Sequence, residues 1–381
     1  MTLGSLFDGS GGFPLAGTLV GITPVWSSEI EPYPLRVTAA RFPEVEQLGS
    51  VTDINGGKVE PVDIITFGSP CQDLSVAGKQ LGIHEGHRSN LFFEAVRIIK
   101  EMRDAEKRTG RTDVDIRPRF AVWENVPGAF SSNKGADFQA VLEALASVRE
   151  NGVSIPQPKK WRGAGCVVGN GWSIAWRVYD AQYWGVPQRR KRIYLVADFA
   201  GERAGEILFE REGVLGDSTE SRTPWKGTAA DAEGGAGGSD RVRCLNPWDA
   251  EGKRIFDVNG CMQTLFAGQG GHLRGVCYAI EGNVVDRESN KNGKGWCENV
   301  SPRRKYIVRR LTPTECARLQ GFPDWWTDGV EGGDSAQYKM WGNGIALPCA
   351  VDVLGRIARG VETTTDGYGE HVSERERLLR I

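Results

Sequence analysis

The chain has no excess of charge of either sign: 47 lysines and arginines stand against 49 acids in 381 residues. Global electrostatics therefore neither demand nor exclude a polyanionic partner, and the distribution of charge has to decide. Histidine is scarce, with four in the chain, and the eight cysteines at 71, 166, 244, 261, 277, 297, 316 and 349 form no CxxC pair and no cluster with histidine. This pattern excludes a finger-type zinc site and a disulfide framework, so no metal is expected and a reducing compartment is. No apolar run approaches the roughly 18 residues of a membrane span. A strand-like Leu3–Phe7 follows Met1 with no basic leader between them. The expectation is a soluble, cytoplasmic protein without membrane contact, long enough for one large or two modest domains.

Against these absences stands a recurrent pattern, short apolar runs that stop at a functional group. Leu3–Phe7 runs into Asp8-Gly9-Ser10-Gly11-Gly12, a short helix follows to about Leu19, and the strand Val25–Ser28 ends directly at Glu29. Glycines between a strand and a helix let backbone approach a ligand, and an acid about 20 residues beyond the first glycine can accept from ribose hydroxyls. The dinucleotide fingerprint wants a third glycine where Pro14 stands. A nucleoside without a pyrophosphate fits better, which disfavours a nicotinamide oxidoreductase. Ser50–Ile54 is read as a strand end presenting Asp53. Ile64–Phe67 has the content of a buried strand, and Gly68-Ser69-Pro70 stops it, so Cys71 is presented from a turn at the edge where α/β sheets keep their ligands. A free cysteine is by default buried and inert, and the place of Cys71 opposes that default. Phe120–Trp123 is another apolar run, halted by Glu124, an acid that serves equally well as an ordinary helix cap.

Helices are expected over 89–108, where Leu91, Ala95, Ile98, Ile99 and Met102 recur at helical spacing, over 137–147, from Thr312-Pro313 to Leu319, and over 346–357. Strands are expected over 173–179 and 193–197. This alternation indicates an α/β fold with a mostly parallel sheet in residues 1–201. Composition changes after Gly201, with a glycine-rich stretch over 227–240, so 202–305 reads as a smaller, irregular domain and 306–381 as a return to the first. Basic clusters at Arg189–Arg192, Arg303–Lys305 and Arg309-Arg310 could together line a phosphate-binding surface.

Six stretches stand in one order over nearly the whole chain: SLFDGSGGF at 5–13, GSPCQDLS at 68–75, ENV at 124–126, QRRKRIY at 188–194, RRLTPTECARLQGFP at 309–323 and GNGIALP at 342–348. In them the chain resembles the DNA cytosine-C5 methyltransferases of bacteria and phages. The resemblance implies a Rossmann-like, S-adenosylmethionine-dependent methyltransferase fold with a small target-recognition domain. It also implies methylation at C5 of a cytosine flipped out of a specific duplex DNA sequence. Cys71 is then the nucleophile that adds to C6, Glu124 the proton donor to N3, and Arg190 and Arg192 the cations near the cytosine O2.

The resemblance further places Phe7 on the adenosine and lets the Gly9, Gly11 and Gly12 turn admit it. Glu29 would hold the ribose hydroxyls, Asp53 and Ile54 the adenine, and Ile30, Pro70, Leu91 and Asn343 would complete the cofactor pocket. Ser5 stands where the family most often has an acid, and Ile30 where an aromatic frequently stacks on adenine. DNA contacts are implied for Gln72, Ser75, Arg88, Gln188 and Thr264. The loop from Gln72 to Arg88 would close over the DNA, and 202–305 would read base edges in the major groove. The implied partners are double-stranded DNA and, in a restriction-modification setting, a cognate restriction endonuclease, with the enzyme itself a monomer. Two other readings stay open. One subgroup of the family modifies tRNA, and a non-catalytic DNA-binding regulator could use the same fold, although Cys71, Glu124, Arg190 and Arg192 together oppose the latter.

Overall fold

In the computed structural model the described residues are 1–70, 91–209, 255–257, 262–263, 265, 275–280 and 305–362. Five strands run parallel to their neighbours: β1 (Thr2–Leu6), β2 (Thr23–Ser28), β3 (Glu46–Gln47), β4 (Ile64–Phe67) and β5 (Phe120–Asn125). They continue into three antiparallel pairings through β6 (Ala164–Gly169), β7 (Trp172–Asp180) and β9 (Lys191–Asp198). The sheet order is β3-β2-β1-β4-β5-β9-β7-β6. The chain leaves β1 toward β2 on one side and reaches β4 on the other, so the crevice of this sheet opens beyond the ends of β1 and β4. The parallel crossovers carry the helices α1 (Gly12–Leu19), α2 (Pro32–Arg41) and α3 (Leu91–Arg108), and α4 (Ala136–Ala146) follows β5.

Period-two alternation sends successive strand residues to opposite faces, and two cores form accordingly. Ile64, Phe120, Val122, Tyr194 and Val196 join Leu3, Phe13 and Ala16 in one core. Ile65, Phe67, Ala121, Trp123, Ile193 and Leu195 join Phe92, Ile98 and Leu142 of α3 and α4 in the other. The alternation reaches Glu124, which lies on the Val122 face opposite Tyr194 of β9.

The C-terminal segment returns to the first core. Helix α6 (Pro313–Leu319) begins in a capping box, with Thr312 Oγ1 accepting from Glu315 N and the Glu315 carboxylate accepting from Thr312 N. Helices α7 (Asp334–Asn343) and α8 (Leu347–Glu362) follow, and Trp341, Ile345, Ala350, Val353 and Leu354 pack with Phe13 and Ala16 of α1. Helix α5 (Ala204–Leu208) lies past residue 201, yet Ala204, Ile207 and Leu208 belong to this same core. The described part of the variable region is strand: β10 (Ile255–Asp257), β12 (Gly275–Ile280) and β13 (Lys305–Arg310) form a small sheet, and β11 (Met262–Gln263) pairs in parallel with β8 (Gln188–Arg189).

Two expectations are corrected here. Ser50–Ile54 is a turn, in which Asp53 N donates to Ser50 O and the Ser50 and Thr52 hydroxyls bond each other, so Asp53 is exposed on a loop instead of ending a strand. Glu124 is not beyond β5 but inside it, because Glu124 and Asn125 find ladder partners in Tyr194 and Ile193 about 70 residues away in sequence. Helices α2 and α7, unremarked in the sequence, complete the layer. Helix α2 holds two prolines in its first turn, and α7 has little apolar periodicity.

Candidate active site

The ends of β1, β2, β4 and β5 form one edge, and each carries a polar group. After β1 the chain turns sharply. Phe7 sits at φ 55°, Gly9 at 58° and Gly11 at 77°, left-handed values that suit glycine and strain phenylalanine. Asp8 within this turn is 6% exposed and Ser10 is 1% exposed. The Ser5 hydroxyl donates to Asp8 Oδ1 at 2.7 Å, while Asp8 Oδ2 and Ser10 Oγ have no hydrogen-bond partner among the described residues. Burial raises the Asp8 carboxyl to about 7; the Ser5 hydrogen bond opposes this and the Glu29 charge adds to it. The turn is braced from the C-terminal segment: Trp326 Nε1 donates to Ser10 O at 2.8 Å, and a side chain on Gly12 would collide with Ile345.

Glu29 follows β2 and closes onto the same turn. Its Oε2 accepts from Gly9 N at 2.7 Å, and its Oε1 from Ile30 N and Glu31 N at 2.7 and 2.8 Å. The carboxylate is thus fixed in direction by three backbone donors and stays half-buried beside the exposed Ile30. Ile54 is buried, and its carbonyl accepts from Arg97 of α3 at 2.9 Å. Leu91, half-buried, opens α3, and Asn343, exposed, closes α7.

Beyond β4, Ser69 is clamped by the neighbouring strand. Its hydroxyl accepts from Trp123 Nε1 at 3.1 Å and its carbonyl from Asn125 Nδ2 at 3.0 Å. This clamp fixes the exit direction of Pro70, which is exposed. Cys71, Gln72, Ser75, Arg88 and Thr264 lie outside the described residues. Glu124 faces the same place: its Oε2 is 3.5 Å from the position a Cβ would take on Gly68.

Glu124 is 8% exposed, and burial raises its carboxyl pKa, opposed by the charges of Arg192 and Arg190. Arg192 Nε stands 3.1 Å from Glu124 Oε1. The contact is an ion pair by distance without the alignment of a hydrogen bond, and Oε1 has no hydrogen-bond partner among the described residues. Arg190 behaves differently. It is 2% exposed, and its guanidinium donates to Gly344 O and, more loosely, to Gly342 O at 3.4 Å and Leu265 O at 3.5 Å. Burial and the neighbouring Arg192 lower it to about 9. Arg190 therefore ties the β8–β9 turn to the α7–α8 turn and to the variable region, and Arg192 alone of the two reaches Glu124.

Gln188, expected at the DNA, is fully buried. Its Nε2 donates to Leu319 O at 2.9 Å and its Oε1 accepts from Leu265 N at 3.4 Å, so both ends of its amide are engaged internally. Three residues that the sequence did not single out belong to the crevice or its wall: Asp8, Ser10 and Tyr194, whose buried hydroxyl lacks a partner among the described residues. The signal available for Asp8 was its place three residues after Ser5 and immediately before the glycines of the turn.

The family model for C-5 cytosine-specific DNA methylases matches residues 1–155 and 249–359. A protein of Escherichia phage P1 named DNA N-6-adenine-methyltransferase is 27% identical over 474 aligned residues, and the match spans 96% of this chain but 62% of that protein. Type II methyltransferase M.HpaII of Haemophilus parainfluenzae is 27% identical over 359 residues, spanning 92% of this chain and 87% of the relative. Among solved structures, S. pombe Dnmt2 methyltransferase superposes with a TM-score of 0.58 at 17% identity, covering 96% of this chain and 100% of that one. That likeness shows a shared fold.

Proposed function

The chain belongs to the C-5 cytosine-specific DNA methylase family, and from that premise we propose that it methylates C5 of a cytosine flipped out of duplex DNA, through a covalent bond between Cys71 and C6. The observation that carries this reading is Glu124, a buried carboxyl with a raised pKa, set beside Arg192 and next to the strand exit that leads to Cys71. Cytosine C5 is a weak nucleophile, and addition of a thiolate to C6 makes C5 electron-rich. A proton held by Glu124 and passed to N3 relieves the charge that builds on the ring, and Arg192 stabilises what remains. Loss of the C5 proton and departure of the Cys71 thiolate complete the exchange.

S-adenosylmethionine supplies, when bound, a methyl group made electrophilic by its sulfonium. The residues present fit it: a turn of left-handed glycines would admit a nucleoside, Glu29 beside that turn would take the ribose hydroxyls, and two buried polar atoms, Asp8 Oδ2 and Ser10 Oγ, have no partner among the described residues. Phe7, Ile30, Ile54, Pro70, Leu91 and Asn343 would shape the remainder. Residues 202–305 would carry target recognition, with α5 kept by the catalytic core. The name of the phage P1 relative would direct the methyl group to adenine N6. An exocyclic amine needs no thiol for that reaction, so Pro70-Cys71 and the matched family favour cytosine.

Bisulfite sequencing of plasmid DNA from cells expressing the protein should reveal 5-methylcytosine in one sequence context, and Cys71→Ala should abolish it. Duplex DNA with 5-fluorocytosine at that site should then trap the wild type covalently in the presence of S-adenosylmethionine. Unmodified plasmid together with newly methylated tRNA would transfer the reading to RNA.

A further inference from the structure

Asp8 ends β1 between two positions whose roles are proposed above. The strand β1 lies between β2 and β4, Glu29 follows β2, and Pro70 with Cys71 follows β4. With the ribose at Glu29 and the methyl group delivered toward Cys71, the part of the cofactor that joins them, the sulfonium with its amino-acid tail, crosses the end of β1. Asp8 Oδ1 is held there by Ser5, and Oδ2 is buried without a partner among the described residues. An orphaned carboxylate oxygen is costly in a protein interior and gains most from a cationic donor.

We infer that Asp8 is a cofactor-binding residue whose free oxygen accepts from the α-ammonium of S-adenosylmethionine, so that the pocket selects ligands bearing the amino-acid tail over bare adenosine derivatives. The inference rests on the methyltransferase reading and adds a contact to it. Ser5 is its positioning residue, since it directs one oxygen and leaves the other free. The charged group that acts on Asp8 is Glu29, a like charge already occupied by the N–H groups of Gly9, Ile30 and Glu31. An arriving cation is therefore the missing balance. Burial holds the Asp8 proton to about pH 7, so binding of a cationic ligand below that pH expels it.

The test is titration calorimetry on the full chain with two probes, S-adenosylhomocysteine, which carries the tail, and 5′-methylthioadenosine, which lacks it. Asp8→Asn should weaken the tailed ligand by about 10- to 100-fold at about pH 8, the loss of one charged hydrogen bond, and leave 5′-methylthioadenosine within about twofold. Near pH 6 the wild type should release protons on binding S-adenosylhomocysteine, seen in buffers of different ionisation enthalpy, and the variant should not. Ser5→Ala keeps the carboxylate and loosens its direction, and should lose about two- to fivefold on the tailed ligand alone, less than removal of the charged hydrogen bond itself. An equal loss on both probes makes Asp8 a shaping residue and overturns the inference, as does no loss. Failure of the wild type to bind either probe rejects the methyltransferase reading itself, and the inference with it.

Discussion

Two glutamates mark the two ends of the crevice, and the chain holds them in opposite ways. Glu29 is half-buried and accepts three backbone N–H bonds from residues next to it in sequence or in the facing turn. Glu124 is buried, has no aligned donor on Oε1 among the described residues, and is balanced by a guanidinium that arrives from β9. A carboxylate gripped by backbone amides has a fixed direction and suits the recognition of hydroxyls. A carboxyl whose pKa burial raises against the charges of Arg192 and Arg190 suits proton transfer. On the proposed function the edge of one sheet would host an anchor and a proton carrier, and the difference lies in their neighbours, since the residue type is the same.

The largest effect that would break this comparison comes from Glu124→Gln. Steady-state turnover should fall by about 10²- to 10⁴-fold, the range for losing a general acid, while S-adenosylmethionine affinity stays within about twofold. A loss that appears in cofactor affinity instead would make Glu124 part of the anchor. Glu29→Gln should do the reverse. One oxygen becomes an NH2 group facing backbone donors, and cofactor affinity should drop by about tenfold with kcat little changed, the cost of one charged hydrogen bond. An intact affinity would remove Glu29 from the cofactor pocket.

The smallest effect is on stability in the unliganded protein. The folded chain holds the Asp8 proton to about pH 7, whereas an ordinary aspartate releases it near 3.8. The folded state therefore binds more protons between these limits, so stability is greatest below them, declines as pH rises toward 7, and levels off above. The raised Glu124 carboxyl adds in the same direction. The thermal midpoint should fall by about 5 °C from pH 5 to pH 8, and Asp8→Asn should flatten much of that slope. A midpoint that rises over this range would show that Asp8 ionises at an ordinary pH and that the turn is more open to water than its burial implies.

Much of the architecture was legible in the chain because apolar alternation and turn chemistry are local. Ile64–Phe67 is the strand expected, residue for residue, and the glycine turn after β1 falls where expected. The stop signal at Gly68-Ser69-Pro70 marks the end of β4. What misled was polarity read locally. Glu124 looked like a group beyond a strand and lies within one, because the β9 ladder supplies partners that its sequence neighbours do not. Asp53 looked like a strand end and belongs to a side-chain-bonded turn. Gln188, which the resemblance placed at the DNA, has its amide enclosed between Leu319 and Leu265. Asp8 drew no notice beside its glycines, because the turn that holds it is braced at Ser10 and Gly12 by Trp326 and Ile345, more than 300 residues away.

The sequence was enough for the strands β1, β2, β4, β5, β7 and β9 and for the residue types available at their ends, since these follow from short-range pattern and from the backbone limits of glycine and proline. The surroundings of each acid and arginine came from the folded chain: Arg190 is a tie among carbonyls, Arg192 the cation beside Glu124, and Asp8 a buried carboxyl with one oxygen unpartnered among the described residues. The physical reason is that proton affinity and hydrogen-bond occupancy are set by desolvation and by the nearest charges in space. For Glu124 those charges are Arg192 and Arg190, and the carbonyls that hold Arg190 come from the 342–344 turn, so the partners lie far from Glu124 in the chain.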